Sequence, residues 1–171
     1  MGQFFCLVDT PEHREDFKRH YRIPKNVSIV HYSLGEWHEK RPIEAVVISM
    51  IAFIEGGMRI PMGRVTRDFL TLYRLCPTQY VPNMFRILGS VDVLNEKMGI
   101  NLTHHYINWI YSCQKNNKAN YYLKTTVLAV RLISCLPKMN KSMDENFLIV
   151  FGEWHDGLHC STTDGISGGI V

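Results

Sequence analysis

Proline and glycine residues divide this chain into short segments, and this punctuation constrains its fold more than any other feature. Residues 10–20 begin with Thr-Pro and predict a charged helix, because threonine caps helix starts and proline is tolerated in the first turn. Residues 43–55 are apolar and lie between a proline and a Gly-Gly pair, so they predict a helix buried on most sides. Residues 61–76, 82–98 and 103–113 repeat apolar side chains at helical spacing. The pattern predicts a mainly α fold in which the second and third of these helices pack together.

A few segments favour extended structure. Residues 27–32 are rich in β-branched side chains and predict a short strand or an extended arm. Residues 147–151 are a second strand candidate, whereas residues 114–120 are polar and predict a loop. Residues 121–136 mix Tyr, Thr, Val, Leu and Ile, so periodicity does not separate helix from strand there, and a hairpin is an open alternative. Strands are therefore expected only near the N-terminal arm and the C-terminal segment.

The chain length indicates one domain. With 171 residues the chain can bury one ordinary core, and its hydrophobic content of 46% is typical of globular proteins rather than disordered ones. We expect a single globular helical domain over residues 1–160. Residues 161–171 are rich in Ser, Thr and Gly, have little to bury and predict a flexible tail.

The cysteine pattern and the apolar runs indicate a nuclear or cytoplasmic protein. Five cysteines are odd in number and widely spaced, so no disulfide framework can be read from them. The apolar run near the N-terminus lacks a preceding positive region and a small-residue cleavage site, which is unlike a signal peptide. The apolar stretch at 43–54 is about half a membrane span long and contains Glu44, so no membrane partner is expected.

The charge distribution leaves nucleic-acid binding open. The net charge is +3, and the positive side chains are scattered rather than concentrated in one run. The candidate basic residues come from two regions of the chain, which would have to meet in space: Lys18, Arg19, Arg22, Lys25, Arg59, Arg64 and Arg67. The alternative is an ordinary solvated surface, because Glu12, Glu15 and Asp16 stand beside the first group.

One cluster near the C-terminus has the residue types of a metal site. His155 and His159 have the spacing of one helical face, and the thiol of Cys160 beside them suits zinc. A closed zinc site needs four ligands, and Gly157 interrupts the segment. Coincidental surface histidines are therefore the preferred interpretation, and no cofactor is expected.

A series of short motifs occurs in order over roughly residues 17–155. They are Tyr21-Arg22-Ile23-Pro24, Arg59-Ile60-Pro61, Phe69-Leu70, Tyr73, Pro77-Thr78-Gln79, Pro82-Asn83, Phe85-Arg86-Ile87-Leu88, Gly99-Ile100, Asn140-Lys141, Phe147-Leu148-Ile149-Val150 and Trp154. Together they resemble the gypsy-type transposase domain of plant proteins. The resemblance implies a Gag-like or accessory domain encoded by a mobile element, with no established catalytic residues to carry over. Relatives are usually longer proteins, so this chain is expected to be a truncated, domesticated copy.

The carboxylates do not indicate an enzyme. Asp68, Asp92 and Glu96 are expected at ordinary exposed positions on helices and do not form a two-metal catalytic site. The chain also departs from the family pattern at Asp144 and Glu145, where aromatic and basic residues are usual, and this weakens a nucleic-acid function. A non-enzymatic protein is favoured.

Residues 77–87 are the candidate interaction surface. Gln79, Asn83 and Arg86 are polar residues set among prolines and aromatic side chains, a mixture that suits a rigid contact surface. The alternative is that Asn83 caps a helix and Arg86 pairs with a carboxylate. Tyr106 and Trp109 lie beside aliphatic residues at helical spacing and are interpreted as core. We expect a module that binds a protein partner or itself, with nucleic-acid binding and a small zinc protein as alternatives.

Overall fold

The computed structural model describes residues 4–31, 45–117, 120–127, 132–136 and 146–154. Within these residues the helices are α1 (Pro11–His20), α2 (Met50–Ile54), α3 (Arg64–Tyr73), α4 (Pro82–Met98) and α5 (His104–Ile110). The strands are β1 (Ser28–His31), β2 (Val46–Ser49), β3 (Tyr111–Lys115), β4 (Tyr121–Thr125) and β5 (Phe147–Phe151). None of these described helices has the length and apolarity needed to cross a membrane. The predicted tail at 161–171 lies outside the described residues.

The protein has a mixed α/β fold, so the prediction of a mainly α fold is wrong. Helix covers 45% and strand 20% of the described residues, and the strands form two small antiparallel sheets. The difference lies in the β3–β4 hairpin and in residues 45–55, where β2 precedes a short α2 in place of one long helix. The residues of β2 are β-branched up to Ile48 and pair with a distant strand, so the helix begins only at Met50.

The larger sheet has the order β1-β5-β2, with β5 in the centre. Its register places Ile29 of β1 and Val46 of β2 on either side of Val150, and all three side chains are buried. The strand predicted at 147–151 is confirmed, and the segment at 27–32 contains the strand β1. Because β5 pairs on both sides, it joins two segments that do not pair with each other.

The second sheet is the hairpin β3–β4. The loop predicted at 114–120 is too long, because β3 continues through Lys115. Residues 121–136, for which both helix and strand were open, begin with the strand β4. Across the hairpin the Tyr122 hydroxyl donates to Gln114 Oε1 at 3.0 Å. The N–H of Val81 donates to the carbonyl of Tyr121 at 3.0 Å, so the hairpin is attached to the start of α4.

Helix α4 is the central helix of the fold. It begins at Pro82 and ends before Gly99, as predicted, and Gly99 takes the left-handed backbone (φ 62°) that commonly follows a helix. Both α2 and α3 pack against α4. The side chains that α4 buries form much of the core: Met84, Phe85, Ile87, Leu88 and Val91.

Helix α1 also begins as predicted and is attached to the core near its C-terminal end. Thr10 Oγ1 accepts a hydrogen bond from the N–H of His13 at 3.1 Å. Phe17 is buried against Phe53 of α2, with ring centroids 5.7 Å apart in an edge-to-face arrangement. This contact places the last turn of α1 beside the end of α2.

We expect the pKa of His13 to lie above 6.5 and the pKa of His31 to lie below it. A hydrogen bond from His13 Nδ1 to Asp9 Oδ1 (2.5 Å) raises the pKa of the His13 imidazole above 6.5. Burial lowers the pKa of His31 below 6.5 because it disfavours the charged ring. Two-dimensional NMR of the histidine ring protons against pH measures both values. Asp9→Asn should return the pKa of His13 towards 6.5 and leave His31 unchanged, and a common midpoint in the wild-type protein would contradict the structure.

The two histidines also act on stability in different pH ranges. The hydrogen bond with His13 lowers the pKa of Asp9, so the pair stabilises the fold between the lowered pKa of Asp9 and the raised pKa of His13. That contribution is lost as the pH falls through the first value or rises through the second. The pKa of His31 is lower in the folded protein than in the unfolded chain, so the unfolded chain takes up a proton first as the pH falls. The effect of His31 on the stability of the fold is therefore most favourable above 6.5 and becomes less favourable below it.

Candidate functional site

The end of α1, the start of the loop after α2 and one side of α4 border an open cleft of about 620 Å³. We call it the arginine cleft, because Arg22, Arg59 and Arg86 line it from these three separate segments. Most of the other described residues that line it are aromatic, aliphatic or glycine, and they include Tyr21, Phe53, Met58, Phe85, Gly89, Val93, Leu94 and Ile133. The cleft therefore has an apolar floor and a cationic rim.

A helix-ending motif determines where Arg22 lies. The N–H of Ile23 donates to the carbonyl of Lys18 at 2.8 Å. The N–H of Arg22 donates to the carbonyl of Arg19 at 3.3 Å. This pair of hydrogen bonds is the Schellman motif, and Arg22 occupies its left-handed position (φ 55°), where glycine is usual. Left-handed backbone is unfavourable by about 1–2 kcal/mol for a residue with a Cβ, so an arginine at position 22 lowers the stability of the fold.

The Arg86 side chain lies next to the loop that carries Arg59. Gly57 has left-handed backbone (φ 65°), and a Cβ at this position would lie 3.6 Å from Nη1 of Arg86. The Arg86 guanidinium therefore lies over the Gly57 backbone, two residues before Arg59. Both arginine side chains are solvent-exposed.

The charge of the arginine cleft is not neutralised by the described part of the chain. Among the described residues, no aspartate or glutamate lines the cleft or forms an ion pair with its three arginines. His20 adds a fourth basic group at the rim. Clefts lined by one sign of charge focus the electrostatic field and concentrate ions of the opposite sign. This arrangement favours an anionic ligand.

A neighbouring cleft of about 450 Å³ lies on the other side of the loop after α2. Arg59 borders both clefts, and Arg64 lines the second, where its Nη2 donates to Oδ1 of Asn101. Asp92 and Glu96 also line the second cleft, so its charge is mixed. It is less suited than the arginine cleft to select an anion.

Asp92 has a structural role that the sequence analysis missed. Its Oδ1 accepts from the N–H of Val65 at 2.8 Å, and its Oδ2 accepts from the N–H and the hydroxyl of Thr66 at 3.2 and 2.7 Å. The capping position of α3 is Gly63, which has no side chain to cap with. A carboxylate on α4 thus caps α3 from a distance, and a Cβ at Gly63 would overlap it. The expectation that Asp92 is an ordinary exposed residue is wrong.

The seven predicted basic residues do not form one surface. Arg22 and Arg59 do meet, in the arginine cleft. Lys18 is only 8% exposed, and its Nζ donates to Glu15 at 3.1 Å, so the prediction that it faces a ligand is wrong. Four other residues lie elsewhere: Arg19 pairs with Asp16 at 2.9 Å, Lys25 is exposed outside the cleft, Arg64 lines the second cleft and Arg67 is half-buried on α3.

The predicted interaction surface is also divided. Gln79 Oε1 accepts from the N–H of Cys76 at 2.9 Å, so its side chain closes a short turn before α4. Asn83 is only 4% exposed and presents no side chain to a partner, which corrects the prediction for that residue. Its alternative role as a helix cap also fails, because α4 begins at Pro82 with Val81 in the capping position. Of the three predicted residues, Arg86 is the one that is solvent-exposed, and it lines the arginine cleft.

Helix α5 has an exposed aromatic face. Tyr106 is 54% and Trp109 73% exposed, so their interpretation as core residues is wrong. Ile107 and Ile110 are the residues that α5 buries. Aromatic side chains are enriched in protein interfaces, so this face of α5 is a candidate contact surface.

The proposed metal ligands His155, His159 and Cys160 lie outside the described residues. Within the described part of the chain, no three His, Cys, Asp or Glu side chains cluster closely enough to hold a metal ion.

No protein-family model, curated protein or solved structure matches this chain. The resemblance to gypsy-type transposase domains and the plant, mobile-element origin that it implies stay predictions.

Proposed function

We propose that this protein is a non-enzymatic binding module whose arginine cleft holds a phosphate-bearing polymer, with nucleic acid as the natural ligand. One observation carries the proposal: Arg22, Arg59 and Arg86, from three separate segments, line one concave site without a described carboxylate. Guanidinium groups bind phosphate oxygens through paired hydrogen bonds, which makes arginine the usual residue for phosphate recognition. Arg22 and Arg59 come from the two basic regions of the sequence and line the same cleft, and this supports nucleic-acid binding.

We expect Arg22→Gly to stabilise the fold and weaken binding at the same time. Relief of left-handed strain should raise the free energy of unfolding by about 0.5–1 kcal/mol. Loss of one phosphate contact should lower affinity about tenfold and reduce the slope of log affinity against log salt by about 0.7–0.9. Thermal unfolding measures the first effect, and fluorescence anisotropy with a labelled oligonucleotide at several salt concentrations measures the second.

Arg74 provides a matched control. It ends α3 in the same motif, with left-handed backbone (φ 50°) and an N–H that donates to the carbonyl of Thr71 at 3.2 Å. Arg74 is exposed and does not line the arginine cleft. Arg74→Gly removes the same charge and the same strain, so it should stabilise the fold similarly and leave affinity nearly unchanged. Equal losses of affinity in the two variants would show that the cleft is not the binding site, and a wild-type protein that binds no oligonucleotide would refute the proposal.

A second candidate function is binding of a protein partner or of a second copy of the chain through α5. The exposure of Tyr106 and Trp109 on one helix face favours it, and it is the function that we expect of a transposon-derived interaction module. Light scattering with and without nucleic acid separates the two candidates. A stable oligomer that ignores nucleic acid supports the second, and a monomer that binds nucleic acid in a salt-sensitive way supports the first.

A further inference from the structure

The shape and the lining of the arginine cleft, in addition to its charge, indicate the type of ligand that it binds. A site that contacts only phosphates needs basic side chains on an accessible surface, as in sequence-independent binding to a duplex. The arginine cleft is concave, and its apolar floor includes Phe53, Phe85 and Leu94. Pockets of roughly 300–1,000 Å³ with apolar walls and a few polar groups are typical of sites that enclose a small ring system.

Tyr21 is an aromatic surface at the rim of this cleft, next to Arg22. Three rings hold it in place: its centroid lies 4.4 Å from Phe17, 4.8 Å from His20 and 5.9 Å from Phe53. Its ring remains half-exposed and lines the cleft. Burial raises the pKa of the Tyr21 phenol, so the ring stays uncharged at neutral pH. A fixed, neutral ring beside three guanidinium groups suits a ligand that has both a flat apolar part and phosphates.

We infer that the arginine cleft binds single-stranded nucleic acid, with one unstacked base against the Tyr21 ring and the adjoining phosphates on Arg22, Arg59 and Arg86. This inference rests on the proposed function and narrows its ligand. Bases in a duplex are stacked inside the helix and do not reach a concave site, whereas single strands splay their bases onto aromatic side chains. Stacking on tyrosine requires no particular base, so the site should tolerate sequence changes.

The test compares three ligands on the wild-type protein at equal phosphate concentration: a labelled single strand of about twelve nucleotides, its duplex, and inorganic polyphosphate. We expect the single strand to bind at least about tenfold more tightly than the other two. RNA and DNA strands of the same sequence form parallel arms of the measurement, and either of them satisfies the inference.

Variants of Tyr21 test the role of its ring. Tyr21→Leu should weaken binding of the single strand by about 5- to 150-fold, the range that removal of one base-stacking contact produces. Binding of polyphosphate should change little, and Tyr21→Phe, which keeps the ring, should retain nearly wild-type affinity. Tyr122→Leu removes a half-exposed aromatic ring on β4, outside the arginine cleft, and is the matched control, with no expected effect on affinity.

A measurement on the wild-type protein covers the case in which Tyr21→Leu does not fold. In NMR spectra of protein with labelled tyrosine, a stacked base should shift the Tyr21 ring protons upfield when the single strand is added, and polyphosphate should not. Equal binding of all three ligands, dependent on Arg22 but not on Tyr21, would overturn this inference and leave the proposed function intact. Binding of none of the three would overturn both.

Discussion

Replacement of Gly56 by alanine should lower the free energy of unfolding by about 3 kcal/mol, the upper range for overpacking in a well-packed core. Gly56 lies where the end of α2 meets the first turn of α4. An alanine Cβ there would lie 2.5 Å from the carbonyl oxygen of Ala52, 3.0 Å from the Cβ of Phe85 and 3.1 Å from the carbonyl oxygen of Pro82. None of these atoms moves by side-chain rotation alone, so the two helices would have to separate. Chemical denaturation monitored by circular dichroism measures the change.

Gly89→Ala is the matched control for this substitution. Gly89 lies within α4, and a Cβ there would meet only the carbonyl oxygen of Gly57, at 3.9 Å, which is an ordinary contact. Because alanine favours a helix interior over glycine by about 1 kcal/mol, this variant should be equally or more stable than the wild type. If Gly56→Ala were also tolerated, the close packing of α2 on α4 would be wrong.

Asp92→Ala should also be strongly destabilising, with an expected loss of about 2–4 kcal/mol from charge-assisted hydrogen bonds and a helix cap. The variant removes three hydrogen bonds to Val65 and Thr66 at the start of α3. It also removes a negative charge from the positive end of the α3 dipole. The N–H groups that remain are partly buried, so water replaces the carboxylate only incompletely.

Two further variants make the Asp92 result specific. Asp68→Ala removes the same side chain from an exposed position on α3 and should change stability by no more than about 0.5 kcal/mol. Asp92→Asn should lie between the wild type and Asp92→Ala, because its amide oxygen still accepts while its NH₂ group does not. A loss in Asp92→Ala as small as that in Asp68→Ala would show that the carboxylate does not cap α3 in solution.

The parts of the fold that the sequence predicted correctly have local signals. Thr10 starts α1, and Pro82 and Gly99 bracket α4, so each of these helices is defined by residues within or beside it. Residues 43–55 are also bracketed by a proline and a Gly-Gly pair, but their apolar side chains have no period, so helix and strand cannot be separated there. Their division into β2 and α2 depends on pairing with β5, where Val46 lies opposite Val150, about a hundred residues away.

The candidate site was only partly predictable for the same reason. Arg22 and Arg59 were grouped as basic residues, but only the packing of α1 against α2 and of α2 against α4 brings them together with Arg86. Asp92 was missed because its capping contact crosses from one helix to another. The one signal in the sequence is indirect: glycine stands before α3, where a Ser, Thr, Asp or Asn cap is usual. A missing local cap therefore suggests a search for a carboxylate on a neighbouring helix.

The position of β5 between β1 and β2 affects the order in which the protein can fold during synthesis. Both flanking strands leave the ribosome well before residues 147–151, and neither has its partner until then. The helices from α3 to α5 and the β3–β4 hairpin make mostly nearby contacts and can form first. On a translating ribosome, β1 and β2 therefore remain open strand edges for most of synthesis, and this is the interval in which the nascent chain is most exposed to aggregation.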